Sequence, residues 1–196
     1  MDGVKAVSVE AAAEILREGG VVLAPTETVV GLVAAEHGLR RLSEIKHRDP
    51  EKPIALLCAT REEAFQMVPY IPALAEKLAE RYWPGPLTLV MRKEGGGTIG
   101  VRVPDHEVIG GLLGSYGGPL YATSANLAGE PAPAAVEEVD PRIVEAVDAI
   151  VEGETGAGEA SAVVDLADSE ARLLRANEVL DETELRRIAG ETRENV

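Results

Sequence analysis

Two groups of residues in this chain have the types and spacing to do chemistry. The first is a knot of cations, Lys46-His47-Arg48, followed by Lys52-Pro53. The second lies far downstream, where Ala122-Thr123-Ser124-Ala125-Asn126 sets a hydroxyl and an amide two residues apart. The chain carries 19 Lys+Arg against 34 Asp+Glu, a formal net charge of -15. Cations gathered in one turn of such a chain have two readings. They complement the C-terminal dipole of a helix, or they hold an anion. Taken with the small polar residues, the anion reading is a phosphate-rich substrate gripped by point charges and neutral hydrogen bonds. Gly95-Gly96-Gly97 is not a phosphate loop, since it lacks the Lys and Ser/Thr of one, and it reads as a turn.

Other polar residues fall at the ends of apolar runs. Thr26 and Thr28 follow Val21–Ala24, Ser124 and Asn126 follow Pro119–Thr123, and Ser161 precedes Ala162–Leu166. Each has an ordinary reading as a turn or capping residue. Strand ends in α/β sheets are also where ligand clefts form. Thr98 and Arg102 are four apart in one strand and share a face. Arg102 is flanked by Val101 and Val103, so it needs an anionic partner or a solvent-facing side. His37, His47 and His106 have no metal-ligand spacing, and His106 reads as a surface residue at a helix start. The single cysteine, Cys58, excludes an internal disulfide and reads as an inert core residue. No Ser-His-Asp or Cys-His arrangement is legible, which points to catalysis by positioning and charge neutralisation.

The elements that must position these groups follow from pattern and punctuation. Ser8–Glu18 reads as a capped helix ended by Gly19-Gly20. Val21–Ala24 and Ile54–Cys58 read as buried strands, and residues 38–47 as a helix with Lys46 at its end. Thr60-Arg61-Glu62-Glu63 is a capping box, and a further helix runs from Pro72 to about Tyr82. Trp83-Pro84-Gly85-Pro86 is a rigid turn. Leu87–Met91 and Thr98–Val103 form a hairpin, Asp105–Leu113 a short helix and Pro119–Thr123 a strand. Residues 127–135 form a loop. Ala149–Val151, Ala162–Leu166 and the edge strand Arg172–Arg175 follow, then a helix from Asp181 to about Ala189 and a frayed tail over 190–196. Without strict alternation of strand and helix, the expectation is an α/β chain with a mixed sheet. At 196 residues and 45% hydrophobic it is expected to be one domain, 1–196, with an aliphatic core. Met1–Glu10 has no apolar signal segment and no run approaches a membrane span, so a cytoplasmic protein is expected. Residues 130–196 hold 18 of the Asp/Glu and 6 of the Lys/Arg. That acid excess argues against a broad nucleic-acid footprint.

Five segments, in order, carry a resemblance. They are Pro25-Thr26-Glu27-Thr28-Val29-Val30-Gly31-Leu32, Lys46-x-Arg48 with Lys52-Pro53, Trp83-Pro84-Gly85-Pro86-Leu87-Thr88, Val101-Arg102-Val103-Pro104 and Thr123-Ser124-Ala125-Asn126. Over roughly residues 8–180 the chain resembles the YrdC-like family, the TsaC-type threonylcarbamoyl-AMP synthases, in its single-domain form. The resemblance implies a twisted mixed β-sheet flanked by helices, with a concave ligand cleft. It implies a reaction in which L-threonine, bicarbonate (or carbon dioxide) and ATP, with Mg²⁺ on the phosphates, give threonylcarbamoyl-AMP and pyrophosphate. The product supplies the threonylcarbamoyl transfer to adenosine 37 of tRNA.

By position, Lys46, Arg48, Ser124 and Asn126 would form the reacting tetrad. Lys52, Thr98, Ala132 and Arg175 would also meet the nucleotide, and Thr28, Arg102, Ala122 and Ser161 would meet threonine. Pro25 and Trp83–Pro86 would be scaffold. The chain departs from the family pattern at Val30, where a tyrosine is expected, and at Ala162, where threonine is usual. Ala128 and Ala132 replace serines, His47 replaces a glycine, and Leu57 replaces a histidine found in some relatives. These changes are expected to thin the threonine half of the pocket. Two other functions share this pattern: a paralogous enzyme with another amino-acid or carbamoyl substrate, and a non-catalytic RNA-binding module, which the net charge opposes.

Overall fold

The computed structural model describes residues 6–47, 54–156 and 158–193. Several of its helices begin where a side chain satisfies one of the first backbone N–H groups. In α1 (Val9–Arg17) the Ser8 hydroxyl accepts from the Ala11 N–H at 3.3 Å. In α3 (Arg61–Gln66) Thr60 accepts from the Glu63 N–H at 3.1 Å, while the Glu63 carboxylate reaches back to the Ala59 N–H at 2.6 Å. Asp140 caps α6 (Pro141–Ala146), an element the sequence reading missed. The others are α2 (Leu39–Ile45), α4 (Ala73–Tyr82), α5 (Glu107–Tyr116) and α7 (Glu182–Arg193). Two run past their expected ends. Helix α5 carries Gly110, Gly111 and Gly114 inside it and stops only at Gly117, at φ +83°. Helix α7 continues through 190–193, where a frayed tail was expected. No described helix is long and apolar enough to cross a membrane.

Among the described residues ten strands form one mixed sheet. They are β1 (Ala6–Val7), β2 (Val21–Ala24), β3 (Gly31–Ala34), β4 (Ala55–Leu57), β5 (Leu87–Arg92), β6 (Thr98–Arg102), β7 (Leu120–Ser124), β8 (Ala149–Val151), β9 (Ala162–Asp165) and β10 (Arg172–Arg175). The order is β1-β8-β2-β3-β7-β4-β6-β5-β9-β10. The pairs β1/β8, β2/β8, β4/β6 and β5/β9 are parallel and the rest antiparallel. Strand β3 was not anticipated from the sequence. Val29–Ala35 is buried throughout, so it shows no alternation to mark a strand.

Because side chains alternate across a sheet, the core divides by face. On one face, Val21, Leu23, Leu32 and Ala34 pack with Leu42 of α2 and Ile143 of α6. Further along that face, Leu56, Leu87, Leu89, Met91, Val101, Ala162 and Val164 pack with residues of α3, α4 and α7. On the other face, Val22, Ala24, Val33, Leu57, Ala149 and Val151 pack under α1 and α5. That second cover ends near β4. Beyond it, the face formed by β4, β6, β5 and β9 borders a cavity.

Candidate functional site

The cavity measures about 320 Å³ and is lined by residues of seven strands and the loops at their ends. Its floor is low because one cross-strand row lacks bulk: Ala122 of β7 pairs with Ala55 of β4, which pairs with Gly100 of β6. A Cβ on Gly100 would come within 3.2 Å of Thr88 Cγ2. Around that floor stand Thr26, Thr28, Thr88, Arg102, Ser124, Ser161 and Arg175.

At one end, Lys46 caps α2 and is buried. Its Nζ donates to the Ser124 carbonyl, to Ser124 Oγ at 3.3 Å and to Asn126 Oδ1 at 2.9 Å. The Asn126 amide is turned so that its NH₂ donates to the carbonyls of Leu127 at 3.1 Å and Glu130 at 2.5 Å, leaving its oxygen for Lys46. Thus a helix end and a strand end 78 residues apart form one polar cluster. His47, in the position where a glycine was expected, turns the chain at φ +48°, in the left-handed region. The helix-end reading of the cationic knot holds for Lys46, which is also a member of a polar cluster with Ser124 and Asn126. Arg48 and Lys52 lie outside the described residues.

At the other end, Arg102 is buried and meets an anionic partner, one of the two alternatives its strand position left open. Its Nη2 lies 2.6 Å from Glu27 Oε1 and donates to Thr28 Oγ1 at 3.2 Å, while Nε donates to the Gly85 carbonyl at 3.3 Å. Thr28 belongs to a local knot. Thr26 Oγ1 accepts from the Thr28 and Val29 N–H groups and shares a hydrogen bond with Thr28 Oγ1 at 2.8 Å. The Trp83–Pro86 turn is scaffold in a concrete sense: its Gly85 carbonyl fixes Arg102, and its Pro86 carbonyl accepts from the Ala162 N–H and from Asn177.

The far wall is organised by a β-bulge. Leu173 pairs with Val164 and Arg175 with Val163, so the register slips between them. Consecutive residues Leu174 and Arg175 can then both face the cavity, which regular alternation would forbid. Arg175 donates to the Ser161 carbonyl at 2.6 Å and to Ser161 Oγ at 3.1 Å, and Ser161 Oγ bonds Thr88 Oγ1 at 3.0 Å. Burial, and then the Arg102 charge, lower the Arg175 pKa from its usual value.

The structure brings Lys46, Ser124 and Asn126 together and lines one cavity with Thr28, Arg102, Ala122, Ser124, Ser161 and Arg175; Lys46 and Asn126 stand behind Ser124 and do not line it. It does not bring in all the expected residues. Thr98 is exposed at the start of β6 and Ala132 is half-buried in the loop after β7; neither is among the described residues lining the cavity. Two expected losses also turn out to lie elsewhere. Val30 packs with Leu32 and Leu42, and Ala162 with Leu87 and Val164, on the opposite face of the sheet. Neither thins the pocket. Leu57, by contrast, does line it.

His106 is not the surface residue expected. It is half-buried, its Nε2 bonds the Glu154 carbonyl at 2.8 Å, and its Nδ1 is buried without a partner among the described residues. Cys58 behaves as the core residue expected: burial, then Glu63, pushes its pKa up to about 12. Sequence reasoning passed over Glu27 and Thr88 as site residues. Both stand inside segments already singled out; the one signal in the sequence was that Arg102 called for an anion or for solvent, which did not say which residue supplies it.

Comparison with known proteins agrees with this architecture. The Sua5/YciO/YrdC family model, described as "Telomere recombination", matches residues 14–177. The chain is 37% identical over 195 residues to a threonylcarbamoyl-AMP synthase of Pyrococcus abyssi, covering 93% of this chain and 57% of that one. It is 34% identical over 167 residues to a threonylcarbamoyl-AMP synthase of Stenotrophomonas maltophilia, covering 78% of this chain and 89% of that one. The crystal structure of P. abyssi Sua5 complexed with L-threonine matches with a TM-score of 0.85 at 34% identity, over 93% of this chain and 57% of that chain. The chain thus spans a little over half the length of the Pyrococcus protein.

Proposed function

The chain belongs to the Sua5/YciO/YrdC family, and from that premise we propose that it condenses L-threonine, bicarbonate (or carbon dioxide) and ATP into L-threonylcarbamoyl-AMP and pyrophosphate. The observation that supports this reading is that one cavity is lined both by Ser124, to which Lys46 and Asn126 bond, and by the buried Arg102. The reaction must hold two anions close enough to react and needs no covalent nucleophile. The threonine amine adds to the carbon of CO₂ and loses a proton, giving a carbamate. A carbamate oxygen then attacks the α-phosphorus, and pyrophosphate leaves with the electrons of the broken P–O bond.

In this scheme Arg102 and Thr28 hold the threonine carboxylate, as an arginine fork suits. Ala122 and Ser161 border the same substrate. Lys46, with Ser124 and Asn126, faces the phosphates of ATP, which enters as its Mg²⁺ complex. Preorganised charge and hydrogen bonds of this kind are the main source of catalysis in phosphoryl and nucleotidyl transfer. Arg175 is assigned to the nucleotide by family position. By family position, Arg48, Lys52, Thr98 and Ala132 are assigned to the nucleotide as well. The product is a labile mixed anhydride, so it is handed to a tRNA threonylcarbamoyl transferase, and we assign the reaction to the cytoplasm.

The test is direct. Purified protein incubated with Mg²⁺, ATP, threonine and bicarbonate is expected to release pyrophosphate only when both threonine and bicarbonate are present, with the adenylate visible by mass spectrometry. Folded protein that binds ATP but forms no adenylate would refute the assignment.

A further inference from the structure

Among the described residues that line the cavity, the charged ones are Arg102 and Arg175. They are not equivalent. Arg102 is buried and has its counter-ion, with Nη2 2.6 Å from Glu27 Oε1. Arg175 is partly exposed on the cavity wall, where a ligand can reach it, and it has no carboxylate partner among the described residues. Its bonds go to the carbonyl and the hydroxyl of Ser161, both neutral. They use Nε and one N–H of Nη2, and a guanidinium has further donors on both terminal nitrogens. The sheet fixes where this charge stands. Arg175 pairs with Val163, and Val163 with Thr88. Thr88 and Arg102 come next after the pair Leu89–Val101 on adjoining strands. One row therefore runs from Arg102 through Thr88 and Val163 to Arg175, across strand spacings that put the two backbones about 14 Å apart. Long side chains rooted at that distance can reach one small molecule from its two sides. Their charges already act on each other, since Arg102 contributes to the lowered pKa of Arg175.

Charge accounting points to the molecule. Threonine enters as a zwitterion without net charge, and Arg102 with Glu27 is neutral as a pair. Carboxylation of the amine removes its positive charge and adds a carboxylate, so N-carboxythreonine is doubly anionic. The carboxylate on nitrogen needs a cation that free threonine does not. We propose that Arg175 supplies it: held by Ser161, its guanidinium receives the carbamate carboxylate while Arg102 keeps the α-carboxylate. The inference rests on the threonine reading above, to which it adds a binding residue for the carbon that comes from bicarbonate. An arginine fork suits a planar carbamate as it suits any carboxylate. Ser161, which bonds Arg175 on one side and Thr88 on the other, ties this second fork to the amino-acid end of the cavity. The family assignment of Arg175 to the nucleotide is compatible with this place. A carbamate oxygen attacks the α-phosphorus, so the residue that holds the first group stands beside the second.

Two simpler roles predict something different. A residue that serves the nucleotide alone would affect ATP and no amino-acid ligand. A residue that only braces Ser161 would affect all threonine ligands alike. The experiment is equilibrium binding, by calorimetry without bicarbonate, of L-threonine, ATP and two analogues. N-sulfo-L-threonine carries a stable anion where the carbamate would be, and N-acetyl-L-threonine carries a neutral group there. Wild-type protein is expected to bind the N-sulfo form about 10- to 100-fold more tightly than the N-acetyl form, the range for a hydrogen bond to a charged group. In R175Q that preference is expected to shrink to less than about threefold, with the N-acetyl form changed by no more than that. An R175Q protein that keeps the preference would overturn the assignment, whatever becomes of its ATP affinity. Equal weakening of both analogues would overturn it as well and leave Arg175 as a brace for Ser161. Equal affinity of the two analogues for wild-type protein would overturn it without any variant, so the test survives if R175Q does not fold. Wild-type protein that binds threonine but neither analogue defeats the carbamate site alone. Wild-type protein that binds no threonine defeats the synthase reading on which that site rests.

Discussion

Over β8, β2 and β3, one face of the sheet presents Ala149, Val151, Val22, Ala24 and Val33, and helices α1 and α5 seal it. Over β4, β6, β5 and β9, that same face presents Ala55, Gly100, Arg102, Thr88, Val90 and Val163, and it borders the cavity. The two halves share one hydrogen-bonded ladder and the same backbone geometry. They differ in side-chain volume and polarity. A row of small residues lowers the floor, and the polar residues around it are already paired with one another, as Thr88 is with Ser161 and Arg102 with Glu27 and Thr28. A buried polar group that has its partner costs little, so the fold can keep such a surface uncovered by helix. The opposite face, under α3, α4 and α7, supplies the apolar packing that the open half lacks.

This contrast separates substitutions that alter chemistry from those that alter stability. The largest effect is expected at the polar end of the cavity. Lys46→Ala removes the donor to Ser124 and Asn126, and turnover measured by pyrophosphate release should fall by about 10²- to 10³-fold. Turnover within tenfold of wild type would mean that this end of the cavity does not face the reacting phosphates.

Next comes the sealed half. Leu112 of α5 is fully buried, and Leu112→Ala should cost about 2–5 kcal/mol in urea unfolding while the KM for threonine stays unchanged. A raised KM there would break the separation of the halves. The smallest effect is expected where the open half secures its own polar groups. Thr88→Val removes the bond to Ser161 Oγ, which also accepts from Arg175. A loss of about 1 kcal/mol, read as a roughly fivefold rise in KM for threonine, is the expected outcome. A rise matching the Lys46 effect would show that Thr88 meets substrate itself.

Much of this was visible in the chain before its fold was known. The caps at Ser8 and Thr60, the strand Val21–Ala24, the hairpin around Gly95–Gly97 and the helix end at Lys46 all depend on contacts within a few residues, and all appear where pattern predicts them. Segments decided by burial on both sides were less legible. Strand β3 reads as an unbroken apolar run, and α6 is short enough that its period never becomes clear. The departures at Val30 and Ala162 show the same limit at the site. Their residue types suggested a poorer pocket, but a side chain's face depends on the strand register, and both turn away from the cavity.

Residue chemistry is a local property and is written in the chain. Lys46, Ser124, Asn126 and Arg102 could be chosen as anion-handling residues because charge, hydroxyl and amide groups act the same wherever they stand. Convergence is not local. Lys46 and Ser124 are 78 residues apart, and Arg102 and Glu27 come from different elements. Only the order of strands in the sheet, the bulge that turns Leu174 and Arg175 to one side, and the place where the α1–α5 cover stops bring Ser124, Arg102 and Arg175 to one cavity, with Lys46 and Glu27 as their partners. Pairing between distant strands is fixed by the packing of the whole core. A need for an anion or for solvent was therefore implied by the type and setting of Arg102, while the identity of its partner, Glu27, emerged from the folded chain.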